Sequence, residues 1–253
     1  ISPVGNWSHC GPVALANCFW WFDSKFEPNP LDPRPFYPNP SHVLNDGYNL
    51  VYSFSAAGGW DDHDTNNVIP FVDSLALYCK TNTAGSGTAV FDLAQGARDW
   101  TDSVGLGGKY LIKTYPIDDM AANFEFLRHE VLRSQDVILL LGFWLEVTPG
   151  MCERVGGHYV TVAGTCINPL DSAFCISDPF LDMHEGEPPA GSAHASGVHN
   201  DAGLISGPHG TMYHDKYFVK PATCTPITGI PFAIELANYP AGMIAPVFAG
   251  QNP

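Results

Sequence analysis

The chain has 253 residues, of which 45% are hydrophobic and only 15% are charged. It is therefore long enough to bury a substantial core, and its composition excludes a disordered chain or a coiled coil. A net charge of −15 argues against binding to nucleic acid or to an anionic membrane, because both need basic surfaces. Every apolar run is also shorter than the roughly 18 residues that a membrane-spanning helix needs.

We expect an extracellular protein, because net negative charge keeps such a protein soluble. The chain begins Ile-Ser-Pro without an initiator Met or a secretion signal, which indicates a processed mature form. We also expect it to be a monomer.

Near its start the chain places a cysteine at the tip of a predicted buried helix. Pro12 suits the first turn of a helix, and among residues 13–22 only Asn17 is plainly polar. A helix that is apolar on every side belongs inside a core. Cys10 would face the unpaired N–H groups and the positive dipole end of this helix, and both favour the thiolate over the thiol.

The number of cysteines also singles out Cys10. The chain has 7 cysteines, and all except Cys10 make an even set that can form disulfide bonds in a secreted protein. Cys166 and Cys175 flank a predicted turn at 168–171 and are the local pair that we expect. The other four, which allow three pairings, are Cys18, Cys79, Cys152 and Cys224. Cys10 is then a free reactive thiol, and the alternative is that every cysteine is reduced in a cytosolic protein.

Further along, apolar residues spaced by three and four predict three more helices. The first follows the acidic run 61–65, the second covers 93–100, and the third begins at a cap provided by Asp118 or Asp119. Between the first two predicted helices of the chain, the prolines of segment 27–40 require an extended backbone.

Runs of β-branched and aromatic residues predict the strands. These lie at 110–115, 137–144, 158–163 and 173–178, near 211–219 and at 230–236. A Gly-rich bend is expected at 150–157. Residues 179–210 have no usable period and are expected to form a long loop insert.

Helices come first and consecutive strands follow, which is an order typical of an α+β fold. We expect a single domain at 1–240, in which the N-terminal buried helix packs on a C-terminal, mainly antiparallel sheet. A short C-terminal tail would occupy 241–253.

Three residues form a candidate catalytic triad. A cysteine nucleophile needs an imidazole that accepts its proton, and the imidazole needs a polar partner that fixes its tautomer. His158 opens the most regular strand, and Asp178 ends the next one. If these strands are antiparallel neighbours, His158 and Asp178 come together. Gly156 and Gly157 would leave His158 accessible to a substrate.

Three short motifs around these residues occur in a recognisable order. They are Cys10-Gly11-Pro12 at the start of an apolar helix, Gly157-His158-Tyr159-Val160, and Ser177-Asp178-Pro179. Together they resemble the papain-like cysteine peptidases, and most closely the bacteriocin leader peptidase-like branch, over 6–22 and 134–180. The resemblance implies that Cys10 is the nucleophile, His158 the general base and acid, and Asp178 the residue that orients His158.

The sequence departs from that family just before the cysteine. Such peptidases carry a Gln about six residues upstream, which donates to the oxyanion together with the N–H of the cysteine. Val4 stands at that position, so we expect Asn6 to be the donor instead. Loss of a side-chain donor costs on the order of 10²–10³ in rate.

Two other clusters contain possible metal ligands. Asp61, Asp62 and Asp64 carry the oxygens that calcium prefers, but helix capping explains these residues and EF-hand spacing is absent. The segment 184–214 is rich in histidines at irregular spacings, which indicates a solvated loop rather than a zinc site. These histidines are His184, His194, His199, His209 and His214. We expect no cofactor.

We therefore predict a secreted cysteine peptidase that hydrolyses a polypeptide substrate through a thioester acyl-enzyme. In one alternative, the same triad acts as an amidase or acyltransferase on a small molecule. In a second alternative, the chain is an extracellular binding module that keeps a degenerate peptidase scaffold, in keeping with the missing Gln.

Overall fold

The computed structural model describes residues 8–26, 48–56, 62, 64–116, 124–148, 151–168, 171–177, 203–206, 212–213, 218–219 and 232–238. Three α-helices come first in these ranges, namely α1 Cys10–Phe26, α2 Thr65–Tyr78 and α3 Val90–Ser103, and a fourth, α4 Phe124–Leu132, follows the first strand. The strands are β1 Tyr110–Pro116, β2 Asp136–Thr148, β3 Met151–Asn168, β4 Asp171–Ser177, β5 Gly203–Ser206, β6 Met212–Tyr213, β7 Phe218–Val219 and β8 Phe232–Asn238. Within the described part of the chain, no helix has the length and apolar character needed to cross a membrane.

The main sheet has six strands in the order β1-β8-β2-β3-β4-β5, and each of its pairs is antiparallel. β8 lies between β1 and β2, so the last described segment occupies an interior position, one strand from the edge of the sheet. β6 and β7 form a separate antiparallel pair. Helices combined with an antiparallel sheet confirm the predicted α+β class.

α1 is the buried helix that the apolar run predicts. Among its fully buried side chains are Ala14, Leu15, Cys18, Phe19 and Phe22. It packs against α2, α3 and the central strands β2 and β3. The hydroxyl of Thr161 in β3 donates a buried hydrogen bond of 3.0 Å to the carbonyl oxygen of Ala14, so the helix is tied directly to the sheet.

The other predicted helices are present with adjusted bounds. Asp64 caps α2 by accepting a hydrogen bond of 2.8 Å from the N–H of Asn66. α3 is longer than predicted and buries Leu93, Ala97 and Trp100 on one face. α4 covers the second part of the helix predicted to begin at Asp118 or Asp119. Both of these possible cap residues lie outside the described residues. The proline segment 27–40 and the tail 241–253 also lie outside them.

Two predicted loops are strands in part. The expected bend at 150–157 is wrong for 151–157, which belong to β3, because pairing with β2 keeps Gly156 and Gly157 extended opposite Phe143 and Gly142. The irregularity that the glycines signal is instead a register shift between Phe143 and Trp144. The expected loop insert at 179–210 contains β5, which pairs with β4. The rest of that segment lies outside the described residues.

The structure corrects part of the disulfide prediction. Cys10, Cys18 and Cys79 are free thiols, and the last two are fully buried. The expectation that Cys18 and Cys79 form disulfide bonds is therefore wrong, because each thiol packs inside the core without a cysteine partner. Cys10 is free, as predicted.

The register of β3 and β4 also bears on the local pair expected at the hairpin. Cys166 stands opposite Ala173, and Cys175 stands opposite Gly164, so the two cysteines are diagonal to each other. Diagonal neighbours lie about 7–8 Å apart, which is beyond the Cα separation of most disulfides. The register thus disfavours this pair. The side chains that remain outside the described part are those of Cys152, Cys166, Cys175 and Cys224.

A buried ionisable cluster lies where α1 meets the start of β2. Asp136 is buried, and the thiol of Cys18 donates a hydrogen bond to its carboxyl group. Burial raises the pKa of Asp136 to about 8, against the opposing effects of the Lys25 charge and the Cys18 hydrogen bond. The ammonium group of Lys25 donates to the carbonyl oxygen of Ser134 at 2.9 Å. Burial therefore favours the protonated form of Asp136 in the folded protein.

Asp136→Asn is expected to remove a pH dependence of stability. An unfolded carboxyl group has a pKa of about 4, so between about pH 4 and pH 8 the folded protein holds a proton that the unfolded chain releases. The stability that the folded protein gains from holding this proton on Asp136 is fully present below about pH 4. It is lost as the pH rises toward 8, by up to about 1.4 kcal/mol per pH unit. Urea unfolding at about pH 5 and pH 8 should show that the free energy of unfolding falls more in wild type than in Asp136→Asn as the pH rises. The same difference in this free energy between wild type and variant at both pH values would contradict the prediction.

Candidate active site

Cys10 is the first residue of α1 and is partly exposed, although most of the helix behind it is buried. The first helical hydrogen bond runs from the N–H of Val13 to the carbonyl oxygen of His9 at 3.0 Å. The thiol therefore lies at the end of the helix where N–H groups lack partners within the helix and the dipole is positive. A thiolate is stabilised there.

His158 in β3 lies against this thiol. Burial alone would raise the pKa of Cys10, but a hydrogen bond with the His158 side chain, the charge of that imidazole and the N–H groups of Tyr159 and Gly11 lower it. The lowering effects prevail, so the pKa of Cys10 lies below the usual range of a thiol. The structure thus brings together two of the three predicted triad residues, which are separated by most of the described chain.

Two further thiols that the structure describes, those of Cys18 and Cys79, show how much the surroundings of Cys10 matter. Burial raises the pKa of Cys79 to about 12 and the pKa of Cys18 well above the usual range. Both lie inside the core, whereas Cys10 has an imidazole partner and an exposed side. Of the three cysteines whose side chains the structure describes, only Cys10 has the properties of a nucleophile.

Gly11 allows the start of α1 to come close to β3. A Cβ atom built on Gly11 would lie 3.2 Å from Cβ and Oγ1 of Thr88 and 3.3 Å from Cδ2 of Tyr159. The hydroxyl of Tyr159 in turn donates to the carbonyl oxygen of Thr88 at 3.0 Å. The small residue after Cys10 thus lets the helix, β3 and the segment before α3 meet beside the thiol.

Sequence reasoning missed the turn at 82–87, which supports the residues preceding Cys10. The side-chain amide of Asn82 donates to the hydroxyl of Ser8 at 2.9 Å, and Ser8 is buried. Asn82 has a φ of 63° and accepts a hydrogen bond of 2.9 Å from the N–H of Gly87, whose φ is 92°. The signal that would have revealed this turn is the cluster of Asn, Thr, Gly and Ser residues between α2 and α3.

The immediate neighbour of Cys10 has a different environment. His9 is half-buried, and its Nδ1 lies 3.3 Å from the hydroxyl of Ser8. Burial lowers the pKa of His9 and so favours the neutral imidazole. The imidazole that lowers the pKa of Cys10 belongs to His158 rather than to His9.

The predicted contact between Asp178 and His158 requires that their two strands be antiparallel neighbours. β3 and β4 are antiparallel neighbours, and Thr161 stands opposite Ser177. The description of β4 ends at Ser177, and Asp178 lies outside the described residues. Its predicted orienting role therefore stays a prediction. Gly157 is exposed beside the buried His158, in keeping with the expected access for a substrate.

Other predicted site residues lie partly or wholly outside the described residues. Val4, the predicted oxyanion donor Asn6 and the weak calcium ligand Asp61 belong to this group, as do the histidines of 184–214. Asp64 accepts hydrogen bonds of 2.8 and 2.7 Å from the backbone and side chain of Asn66, as expected for a helix cap. Within the described ranges no three His, Cys, Asp or Glu side chains form a group that could hold a metal ion.

Comparisons with protein-family models, with curated proteins and with solved structures find no match for this chain. The functional argument therefore rests on the site itself. A low-pKa thiol, an imidazole in hydrogen-bond contact with it and a helix N-terminus are together the components of nucleophilic acyl transfer.

Proposed function

We propose that this chain is a papain-like cysteine peptidase that hydrolyses peptide bonds with Cys10 and His158. The hydrogen bond between the Cys10 thiol and the His158 imidazole, in a setting that lowers the thiol pKa, is the observation that carries the proposal. The arrangement of α1 against β2 and β3, with Cys10 at the helix tip and His158 on the strand, supports the papain-like assignment. The triad is completed by Asp178, which orients His158.

The proposed reaction has two halves. The Cys10 thiolate attacks the carbonyl carbon of the substrate, and the N–H of Cys10 together with the Asn6 side chain stabilises the resulting oxyanion. The C–N bond then breaks as imidazolium His158 gives its proton to the leaving amine, which leaves a thioester on Cys10. His158 next takes a proton from water, the hydroxide adds to the thioester carbonyl, and cleavage of the C–S bond releases the acid and restores the thiolate.

The proposal extends to the setting of the enzyme. The substrate is a polypeptide, no cofactor takes part, and the enzyme is a secreted monomer. The acidic composition supports this location, and any disulfide bonds are confined to the four cysteines other than Cys10, Cys18 and Cys79. Neither nucleic acid nor a membrane is a partner.

Product analysis separates peptide hydrolysis from acyl transfer to an amine. The wild-type protein is incubated with unfolded, alkylated polypeptides in heavy-oxygen water, with and without an added primary amine. We expect new carboxyl termini that carry the heavy oxygen, and mass spectrometry detects them. Products formed only as amides of the added amine would support the acyltransferase instead. Absence of any product at every pH tested would contradict the peptidase.

A further inference from the structure

One polar residue interrupts the apolar sequence of α1. Asn17 is 3% exposed and lies seven residues after Cys10, which is about two turns along the helix. A buried amide inside an apolar helix is costly unless it forms hydrogen bonds. Its partners therefore indicate what the residue does.

Asn17 ties α1 to the last described residue of β4. Its side-chain N–H donates a hydrogen bond of 3.0 Å to the hydroxyl of Ser177, which is also 3% exposed. Ser177 stands opposite Thr161 in β3, and Thr161 donates to the carbonyl oxygen of Ala14 at 3.0 Å. One face of the helix thus has two buried hydrogen bonds to a single pair of facing residues in the sheet.

These bonds join the same helix and sheet that carry Cys10 and His158. Ala14 is four residues from Cys10, or about 6 Å along the helix. Thr161 is three residues from His158, or about 10 Å along the strand. A shift of the helix against β3 and β4 would therefore separate the thiol from the imidazole, and a misplacement of about 1 Å costs on the order of 10²-fold in rate.

The side-chain oxygen of Asn17 is buried and accepts no hydrogen bond within the described part of the chain. An unsatisfied buried acceptor destabilises the folded state, so stability alone would favour an apolar residue at this position. The residue is better explained by the geometry that its N–H imposes.

We propose that Asn17 and Ser177 form a positioning pair that fixes α1 against β3 and β4 and so holds Cys10 in line with His158. This inference rests on the proposed function, because it assigns the pair to the same site. The hydrogen bond also fixes the point from which the chain continues to Asp178. Asn17 lies about two helical turns from Cys10, so the pair acts through the alignment of the helix with the two strands.

The test measures how the rate of alkylation of Cys10 by iodoacetamide depends on pH. Asn17→Ala and Ser177→Ala should each move the midpoint of this profile to higher pH, toward that of an ordinary thiol. The double variant should shift it no further than either single variant, because both changes remove the same interaction. Each single variant should also lower kcat for peptide hydrolysis by about 10–10²-fold.

Asn67→Ala supplies a matched control. Asn67 is a fully buried asparagine in α2 whose side chain accepts from the N–H of Phe54 and donates to the carbonyl oxygens of Tyr52 and Asp62. Its replacement should lower stability in urea and leave the alkylation profile of Cys10 at the wild-type midpoint. Circular dichroism establishes that each variant is folded at the assay temperature.

An unchanged profile in either folded single variant would overturn the positioning role, as would an equal shift in Asn67→Ala. If one single variant does not fold, the other decides. Alkylation does not depend on peptide hydrolysis, so the two proposals can fail separately. Absence of hydrolysis in wild type with the expected shifts in the variants would refute the peptidase but keep the positioning pair.

Discussion

Cys10→Ala is expected to abolish peptide hydrolysis, with a loss in kcat on the order of 10⁴-fold or more. Without the sulfur no thioester can form, and the remaining groups only bind the substrate and stabilise the oxyanion. The rate at which new amino termini appear from unfolded, alkylated polypeptides measures the effect. The change removes a partly exposed side chain, so the variant should remain folded.

Cys79→Ala is the matched control for the loss of a thiol. Cys79 is free and fully buried, and its Sγ lies 3.9 Å from the carbonyl oxygen of Leu93, within the core. This variant should lose stability in urea but keep the kcat of wild type. If Cys10→Ala hydrolysed peptides at the wild-type rate, the nucleophile would have to be another residue.

His158→Gln is expected to reduce kcat by nearly as much as Cys10→Ala, because the two residues act as a unit. The imidazole lowers the pKa of the Cys10 thiol both through its hydrogen bond and through its charge. Glutamine retains hydrogen-bonding capacity but has no charge and cannot transfer a proton near neutral pH. The pKa of Cys10 should therefore rise, and less thiolate should be present at about pH 7.

Steady-state assays and the pH profile of Cys10 alkylation together check this expectation. His9→Gln is the control, since it removes the imidazole adjacent to Cys10 in sequence and leaves His158 in place. That variant should keep the wild-type profile. A profile that shifts in His9→Gln but not in His158→Gln would reverse the assignment of the base.

The elements that carry the reacting groups could be predicted from local sequence. The apolar run after Cys10 dictates a buried helix, and the alternation after His158 dictates a strand. Their meeting could be expected only from the chemistry of a cysteine nucleophile, which needs an imidazole. In the structure, the Cys10 thiol and the His158 imidazole are in hydrogen-bond contact.

Long-range pairing is what the sequence could not supply. Nothing local indicates that β8 lies between β1 and β2, because strand order depends on contacts between distant segments. The glycines at 156 and 157 indicated a bend, yet pairing across β2 keeps them in a strand. Counting cysteines predicted disulfides for Cys18 and Cys79, whereas the packing of the core isolates both.

Asn17 illustrates the same limit at the candidate site. The sequence marks it as the polar exception in α1, but its partner Ser177 is separated from it by 160 positions. Only the register of β3 against β4 shows that this bond and the Thr161–Ala14 bond meet the same pair of facing residues. No local sequence pattern reveals the contacts that position α1 against the sheet.

The central claim is that His158 and the start of α1 make Cys10 a thiolate nucleophile. Its most direct test is alkylation of the native protein by iodoacetamide across a range of pH, with the modified cysteines located by peptide mapping. Cys18 and Cys79 serve as internal references, because burial raises the pKa of both. We predict that Cys10 is modified at about pH 6 while the two references stay unmodified. A Cys10 that begins to react only near the ordinary thiol pKa of about 8.5 would contradict the account.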